Sequence, residues 1–311
     1  MSTEKTSFSP VDDPLVIFTG PSPRGWHRLQ MAAECLQRYA WGYESGPRKD
    51  ISKKPPLAIG TLIHLALAQH YSRMKQEQEG KNPNEFMDPI EAVKLVAQVQ
   101  GIEEHVGNVT ETYEAYSQRY WQDLHERRIF AVEVLFDGRL EPTSPMELLA
   151  DCLSDEPEWY RLTGRVDLMF YDLGERLWAE DHKSSSRLTK RHKEYFAISG
   201  QMLGYETICR QKHPELHGFK INLIQHAGQK TPSFDRLSLP PRPALEAQFV
   251  DRACDIERAI ARCKAEGRPV DQWPKAMSEL TCYHRYGPCD YIDQCRMGPG
   301  AKTGGSWTWG G

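Results

Sequence analysis

Nowhere in its 311 residues does the chain run for about 18 apolar residues without a polar break, so no membrane-spanning helix is expected. Basic residues are not in excess: 39 Lys and Arg stand against 43 Asp and Glu, a net charge of -4. No global field gathers polyanions, and any nucleic-acid partner must be held by a local patch. The opening stretch MSTEKTSFSPVDDPLVIF lacks the basic start and apolar core of a secretory leader, which makes a cytoplasmic, reducing compartment the expectation. In such a compartment the eight cysteines do not read as a disulfide framework. Nor do any of them form the pairs two to four residues apart that most zinc sites use. Internal repeats are absent.

What is present is a chain long enough to bury a sizeable core, with alternating helical and strand texture. SPRGWHRLQMAAECLQRYAWGY reads as a helix over 22–43, with Ser22 as its cap and Pro23 in its first turn. GTLIHLALAQHYSRMKQ is a second helix, carrying His64, Leu67, Ala68 and Tyr71 on one face. GKNPNEFMDP is a loop, and amphipathic helices follow over about 89–100 and 102–127. Strands are expected at IFAVEVLF, GRVDLMFYD, RLWAEDHK and FKINLIQ, with a helix over about 192–212 before Pro214. The last long helix, about 243–265, sets Leu245, Phe249, Ala253, Ile256, Ile260 and Cys263 in one apolar stripe. The glycine-rich tail from 300 to 311 is expected to be flexible.

In RVDLMFYDLGERLWAEDHKSSSR the segment DLGE separates two runs of β-type residues and reads as a hairpin turn. Side chains alternate along a strand, so Asp181 and Lys183 share a face while Glu180 and His182 take the other. An ordinary register brings Asp167 opposite Asp181. Two carboxylates at one partly buried patch repel unless a cation lies between them, and a hard ion such as Mg²⁺ or Mn²⁺ meets that need. Lysine beside it can position or help deprotonate an attacking water, which is the chemistry of phosphodiester hydrolysis. Glu180, facing away, is expected to tolerate alanine, and no single substitution in this cluster is expected to unfold the protein. Glu133 in AVEVLF reads equally as a further acid of the site or as a solvent-facing residue of an alternating strand. The run SSSRLTKRHK after Lys183 offers Arg187, Lys190, Arg191 and Lys193 as phosphate contacts, although charge runs are commonly just solvated.

GRVD followed by EDHKSS resembles the PD-(D/E)XK nuclease superfamily, and in particular its RecB-like branch. GTLIH resembles the upstream helix of that branch and QMLGY its downstream helix, so four short motifs stand in the family's order across residues 60–205. The resemblance implies His64, Asp167 and Asp181 as metal ligands, with the carbonyl of His182 as another. It implies Lys183 as the catalytic lysine and Gln201 and Tyr205 as residues that support the site or touch DNA. The fold it implies is a single α/β domain over 1–299, a mixed central sheet flanked by helices with a restriction-endonuclease-like core.

TCYHRYGPCDYIDQC presents Cys282, Cys289 and Cys295 in a segment rich in Pro and Gly, where three thiolates read as soft-metal ligands. The fourth, Cys35, follows from resemblance to the iron-sulfur subset of this branch, which includes AddB-type helicase-nucleases and CRISPR adaptation nucleases. There one cysteine precedes the nuclease motifs, three follow, and together they hold a [4Fe-4S] cluster. A lobe from both termini, about 22–45 and 278–299, is then expected. Thiolate chemistry alone leaves zinc open. Cys152, Cys209, Cys254 and Cys263 read as small buried apolar residues.

The expected function is metal-dependent hydrolysis of DNA, as an exonuclease acting on single strands or duplex ends, with helicase, recombination or adaptation proteins as possible partners. The competing readings are a catalytically silent iron-sulfur protein that binds nucleic acid or acts as a scaffold, and a site-specific endonuclease of the same superfamily.

Overall fold

The computed structural model describes residues 24–45, 55–142, 161–228, 230–284 and 287–298. The Ser22 cap, Pro23, Cys152 and the tail from 300 onward lie outside the described residues. The helices are α1 (Trp26–Glu34), α2 (Leu36–Tyr43), α3 (Pro55–Gln78), α4 (Pro89–Gln100), α5 (Val106–Arg119), α6 (Lys190–Ala197), α7 (Gly200–Lys212), α8 (Pro243–Ala265) and α9 (Ile292–Met297). The central strands are β1 (Arg127–Arg139), β2 (Arg161–Asp172), β3 (Leu177–Ser185), β4 (Gly218–Gln225) and β5 (Ser233–Leu239). They form one sheet in the order β1-β2-β3-β4-β5, a mixed α/β architecture of the expected restriction-endonuclease-like kind.

Contacts divide the chain into two compact units. The first holds the sheet and spans Asp50–Gly138 and Thr163–Glu246. Its β2–β3 hairpin turns where Asp172 Oδ1 accepts the N–H of Gly174 at 2.9 Å and of Arg176 at 3.1 Å. A short polar side chain that captures its own downstream amides is what closes such a turn. β3 and β4 run parallel, which demands a crossover; α6 and α7 supply it. β5 returns antiparallel to β4.

Alternation along β3 sorts the two faces. Trp178 on β3 and Ile224 on β4 belong to the face covered by α3, α4 and α5, whose Leu62, Leu67, Tyr71, Val93, Val109 and Tyr116 are buried with Phe170. Truncating any one of these to alanine costs about 2–5 kcal/mol. α7 serves the opposite face, where the Tyr205 ring lies 6.3 Å from that of Phe219 on β4.

Four expectations are corrected. The helix over 102–127 ends at Arg119, and after a single turn at Asp123–Glu126 the chain enters β1. Asp123 and Arg127, which hydropathy assigns to a helix surface, are instead buried together. The helix over 192–212 is two helices, because Ser199 adopts an extended conformation (ψ 127°) between them. β5 was not anticipated. Leu245 is exposed, although Phe249, Ala253, Ile256, Ile260 and Cys263 are buried as the stripe requires.

The second unit collects Ser22–Lys49, Arg139–Leu162 and Ala247–Gly311. The expected helix over 22–43 is broken in it at Cys35, whose φ of -165° and ψ of 115° are extended. Cys35 caps α2 through its sulfur. Arg28 on α1 makes a buried two-point ion pair with Glu257 on α8, and Trp26 packs on Phe249 at 5.7 Å.

Candidate functional site

The β2–β3 ladder runs from Tyr171↔Leu177 to Leu168↔Glu180. One further step places Asp167 opposite Asp181, where the ladder opens. Both are buried, at 5% and 3% exposure. Asp167 is held from two sides: its Oδ1 lies 3.2 Å from His64 Nδ1, and its Oδ2 accepts the His182 backbone N–H at 2.6 Å. Asp181 pairs with Lys183, its neighbour two residues along the same face of β3.

A third carboxylate enters from β1. Ligand atoms of His64, Glu133 and Asp167 lie within 4.8 Å of one another, the only such group of three among the described residues. Glu133 has a φ of 54°, a left-handed conformation that costs a non-glycine residue on the order of 1 kcal/mol. Its carboxylate is 2.9 Å from Arg165. Sequence alternation left Glu133 undecided because a strand kinked at that residue does not keep period two. Arg165, one step past the GRVD glycine, carried no signal.

The charges of this cluster are unevenly compensated. Burial pushes Asp167 up, but His64 outweighs it and holds the carboxyl well below the usual range. Burial and the neighbouring Asp167 drive Glu133 up, and burial drives Asp181 up against the pull of Lys183. Burial pulls Lys183 down, yet Asp181 keeps its ammonium above the ordinary value. Two carboxylates that resist ionisation beside a third that is ionised form an oxygen-rich site short of positive charge. A hard divalent cation fits that donor set, with His64 as a nitrogen ligand. Protons compete with such an ion at Glu133 and Asp181.

The opposite face of β3 is built differently. The Glu180 carboxylate is 0% exposed and lies 3.0 and 3.1 Å from Arg127 Nη1. Arg127 also reaches Asp123 at 3.3 Å, which in turn accepts from Arg236 at 2.7 and 2.5 Å. Burial pushes Glu180 up, but Arg127 and then Arg236 bring it down to about 2. The face assignment holds, but the expected tolerance of Glu180 to alanine does not, because the carboxylate neutralises buried guanidinium groups. His182 turns its ring to this side, where Nδ1 meets Asn222 Nδ2 at 3.0 Å. Asn222 donates to the Tyr116 hydroxyl at 2.8 Å. The His182 ring is therefore held on this face, its centroid 5.8 Å from that of His64, while its backbone N–H orients Asp167.

On α7, Gln201 Nε2 donates to the Tyr205 hydroxyl at 3.1 Å, and burial followed by Asp181 raises the tyrosine. The two motif glycines have steric reasons. A Cβ at Gly164 would stand 2.5 Å from the Tyr205 ring, and one at Gly60 would stand 3.1 Å from Ser184 Oγ. A side chain at Gly164 would displace the Tyr205 ring, whereas one at Gly60 would require the Ser184 hydroxyl to give way slightly.

In the basic run, Arg187, Lys190, Arg191 and Lys193 are all exposed. Lys193 is ion-paired with Asp235 and Lys190 lies 3.7 Å from Glu194.

In the second unit, Cys289 and Cys295 each feel neighbouring thiols among the four singled-out cysteines. Cys35 Sγ accepts the N–H of Arg38 at 3.4 Å and of Ala276 at 3.3 Å. The Cys289 N–H donates to the Cys282 carbonyl at 2.7 Å. Burial pushes both Cys289 and Cys295 up; Cys35 and Cys295 add to it at Cys289, and Cys35 and Cys282 at Cys295. Cys209, Cys254 and Cys263 are buried, as expected of small apolar side chains.

A family model described as "PD-(D/E)XK nuclease superfamily" matches residues 26–296. No curated protein matches the chain. Among solved structures, one titled "Crystal structure of SSO0001" aligns at 13% identity and a TM-score of 0.28, covering 64% of this chain and 73% of that one.

Proposed function

Because the chain belongs to the PD-(D/E)XK nuclease superfamily, we propose that it is a metal-dependent deoxyribonuclease of the RecB-like branch, acting as an exonuclease on DNA ends or single strands. The observation that carries this reading is the buried meeting of Asp167 and Asp181 beside Lys183, with His64 and Glu133 completing an oxygen-rich cluster. These residues would hold a divalent ion, which when bound would supply Lewis-acid activation of water and charge neutralisation at the leaving oxygen. Lys183 stands at the same face as Asp181, where its ammonium orients that water and stabilises charge on the phosphorus-bound oxygens. Asp167 is held in one orientation by the His182 N–H, so the ligand geometry is set before substrate arrives. Gln201 and Tyr205, hydrogen-bonded to each other over Gly164, support the scissile segment. Arg187, Lys190, Arg191 and Lys193 contact phosphates.

The same reading assigns Cys35, Cys282, Cys289 and Cys295 to a [4Fe-4S] cluster in the lobe formed by both termini. Supporting it are the amide N–H groups directed at Cys35 Sγ and the influence of neighbouring thiols on Cys289 and Cys295. Hydrogen bonds to cluster sulfurs are one of the means by which a protein holds and tunes such a group.

Protein purified without oxygen, then given end-labelled linear and covalently closed circular DNA with Mg²⁺, Mn²⁺ or chelator, tests the activity. Linear DNA should be degraded with metal and spared by chelator, and the circles should survive. Asp181→Ala should lose cleavage and metal binding together, whereas Lys183→Ala should lose cleavage by about 10²–10⁴-fold while metal still binds. Cleavage undiminished in both variants overturns the assignment, and iron and sulfide analysis of the same preparation decides the cluster.

A further inference from the structure

Between the proposed catalytic lysine and the Gln201–Tyr205 pair, α6 presents large side chains to solvent that the nuclease reading leaves unused. Tyr195 is 52% exposed and Ile198, just past the helix end, is 71% exposed. The segment that carries them is anchored along its length. The Leu188 N–H donates to Gln225 Oε1 at 3.0 Å, Lys193 pairs with Asp235, and the Arg242 guanidinium donates to the Ala197 carbonyl. Tyr195 is thus held out by a fixed scaffold.

The sheet register locates this scaffold. Asp235 is in register with Leu223, and Leu223 with Lys183. Residues paired across a ladder share a face, and two strand spacings amount to about 10 Å, so the Lys193 anchor stands on the site face close to Lys183. Arg191 and Tyr195, four residues apart, share one side of α6. Lys193 lies roughly half a turn from both, toward the sheet. The outward side therefore sets an aromatic ring beside the exposed Arg191, with Lys190 at the helix start and Arg187 in the segment before it also exposed. An exposed ring flanked by phosphate-binding cations is the combination used to hold single strands, because unpaired bases offer a π-face that a duplex hides in its own stack.

We propose that Tyr195 is a stacking platform for an unpaired base of single-stranded DNA beside the cleavage site, and that α6 makes the enzyme prefer single strands to duplex. Its placement beside a cleavage site rests on the nuclease reading, while the binding it predicts does not. Ile198 extends the platform, and Arg187, Lys190 and Arg191 hold the flanking phosphates. The platform reads no sequence, since every base can stack.

Binding of full-length protein to labelled single-stranded and blunt hairpin-duplex oligonucleotides, measured by fluorescence anisotropy in chelator, separates the two ideas. Tyr195→Ala should weaken single-strand binding about tenfold, leave duplex binding within about twofold, and leave the thermal midpoint unchanged. Tyr195→Phe should keep single-strand affinity, since the ring is what stacks. The proposal is overturned if Tyr195→Ala weakens both substrates equally, if it changes neither, or if Tyr195→Phe is as weak as alanine. A protein that shows this contrast yet never cleaves with metal would instead sink the nuclease reading and leave the platform standing.

Discussion

Glu180 and Asp181 are adjacent on β3, equally removed from water and opposite in fate. Glu180 lies among Arg127, Arg236, Asp123, Tyr71 and Tyr116, and its carboxylate is held ionised, with its pKa brought down to about 2. Asp181 has Lys183, but it also faces Asp167, and burial holds it above the carboxylate range. One face of the strand is electrostatically finished by the chain itself, whereas the other is left short of a cation. A buried charge network stabilises only when every member is paired, and an unpaired member is costly. The unfinished face marks the place where something from outside the chain is to bind, which is why strongly perturbed groups gather at functional sites.

The widest separation between the two faces should appear in stability. Glu180→Ala strips Arg127 of a buried partner and is expected to cost about 3–5 kcal/mol. Asp181→Ala removes a repelling carboxylate from the metal-free protein and also the ion-pair partner of the partly exposed Lys183. The two effects oppose, and stability should change by less than about 1 kcal/mol in either direction. Urea denaturation in chelator checks both. A Glu180→Ala protein as stable as the parent would mean the far-face network is ornamental, and the comparison would collapse.

The asymmetry also explains what could be foreseen from sequence. Asp167, Asp181 and Lys183 were legible because the DLGE turn fixes the hairpin register and alternation fixes the face. The importance of Glu180 was not, since Arg127 and Arg236 lie 53 and 56 residues away in the chain and an ion pair across such separations leaves no local pattern. Glu133 was half legible: its residue type fitted, but the left-handed kink at φ 54° defeats the alternation by which it would be assigned a face. The helix break at Cys35 was hidden because cysteine is not a common helix cap, and only its sulfur accepting the Arg38 N–H shows that it acts as one. β5 went unnoticed as SFDRLSL, an edge strand whose Asp235 and Arg236 serve opposite faces and give it no apolar alternation.

A second expectation concerns acid. His182 and His70 are both held neutral in the folded protein, each lowered to about 4 first of all by burial. An unfolded histidine binds its proton near pH 6.5. Below that value the unfolded chain takes up protons that the folded chain refuses, so stability present above pH 6.5 is lost as pH falls toward 4. The slope is about 1.4 kcal/mol per pH unit for each histidine across that window. Glu180 adds a later loss, between its ordinary range and about 2, because its folded pKa is depressed. Glu133 and Asp181, whose carboxyls burial raises in the folded protein, take up protons across the first window and offset the histidine loss. The histidine contribution is therefore read as a difference between denaturation series at several pH values. His70→Phe should lose less stability than the parent between pH 6.5 and 4, by about 1.4 kcal/mol per pH unit. A His70→Phe protein with the parent's pH profile would show that His70 is not as closed to protons as its burial implies.

The smallest effect bears on the unfinished face directly. Glu133 keeps a left-handed backbone inside a strand, a conformation glycine adopts without the Cβ clash that other residues meet. If the strain is real, Glu133→Gly and Glu133→Ala, which lose the same contact with Arg165, should still differ. The glycine variant should be the more stable by about 1 kcal/mol, even though glycine in a strand is ordinarily the worse choice. Both should bind Mn²⁺ more weakly than the parent if the carboxylate belongs to the cation site. An alanine variant more stable than the glycine one would mean that the backbone relaxes once the carboxylate is gone. The kink would then be a consequence of drawing Glu133 toward His64 and Asp167, and the strain would be located in the site and not in the strand.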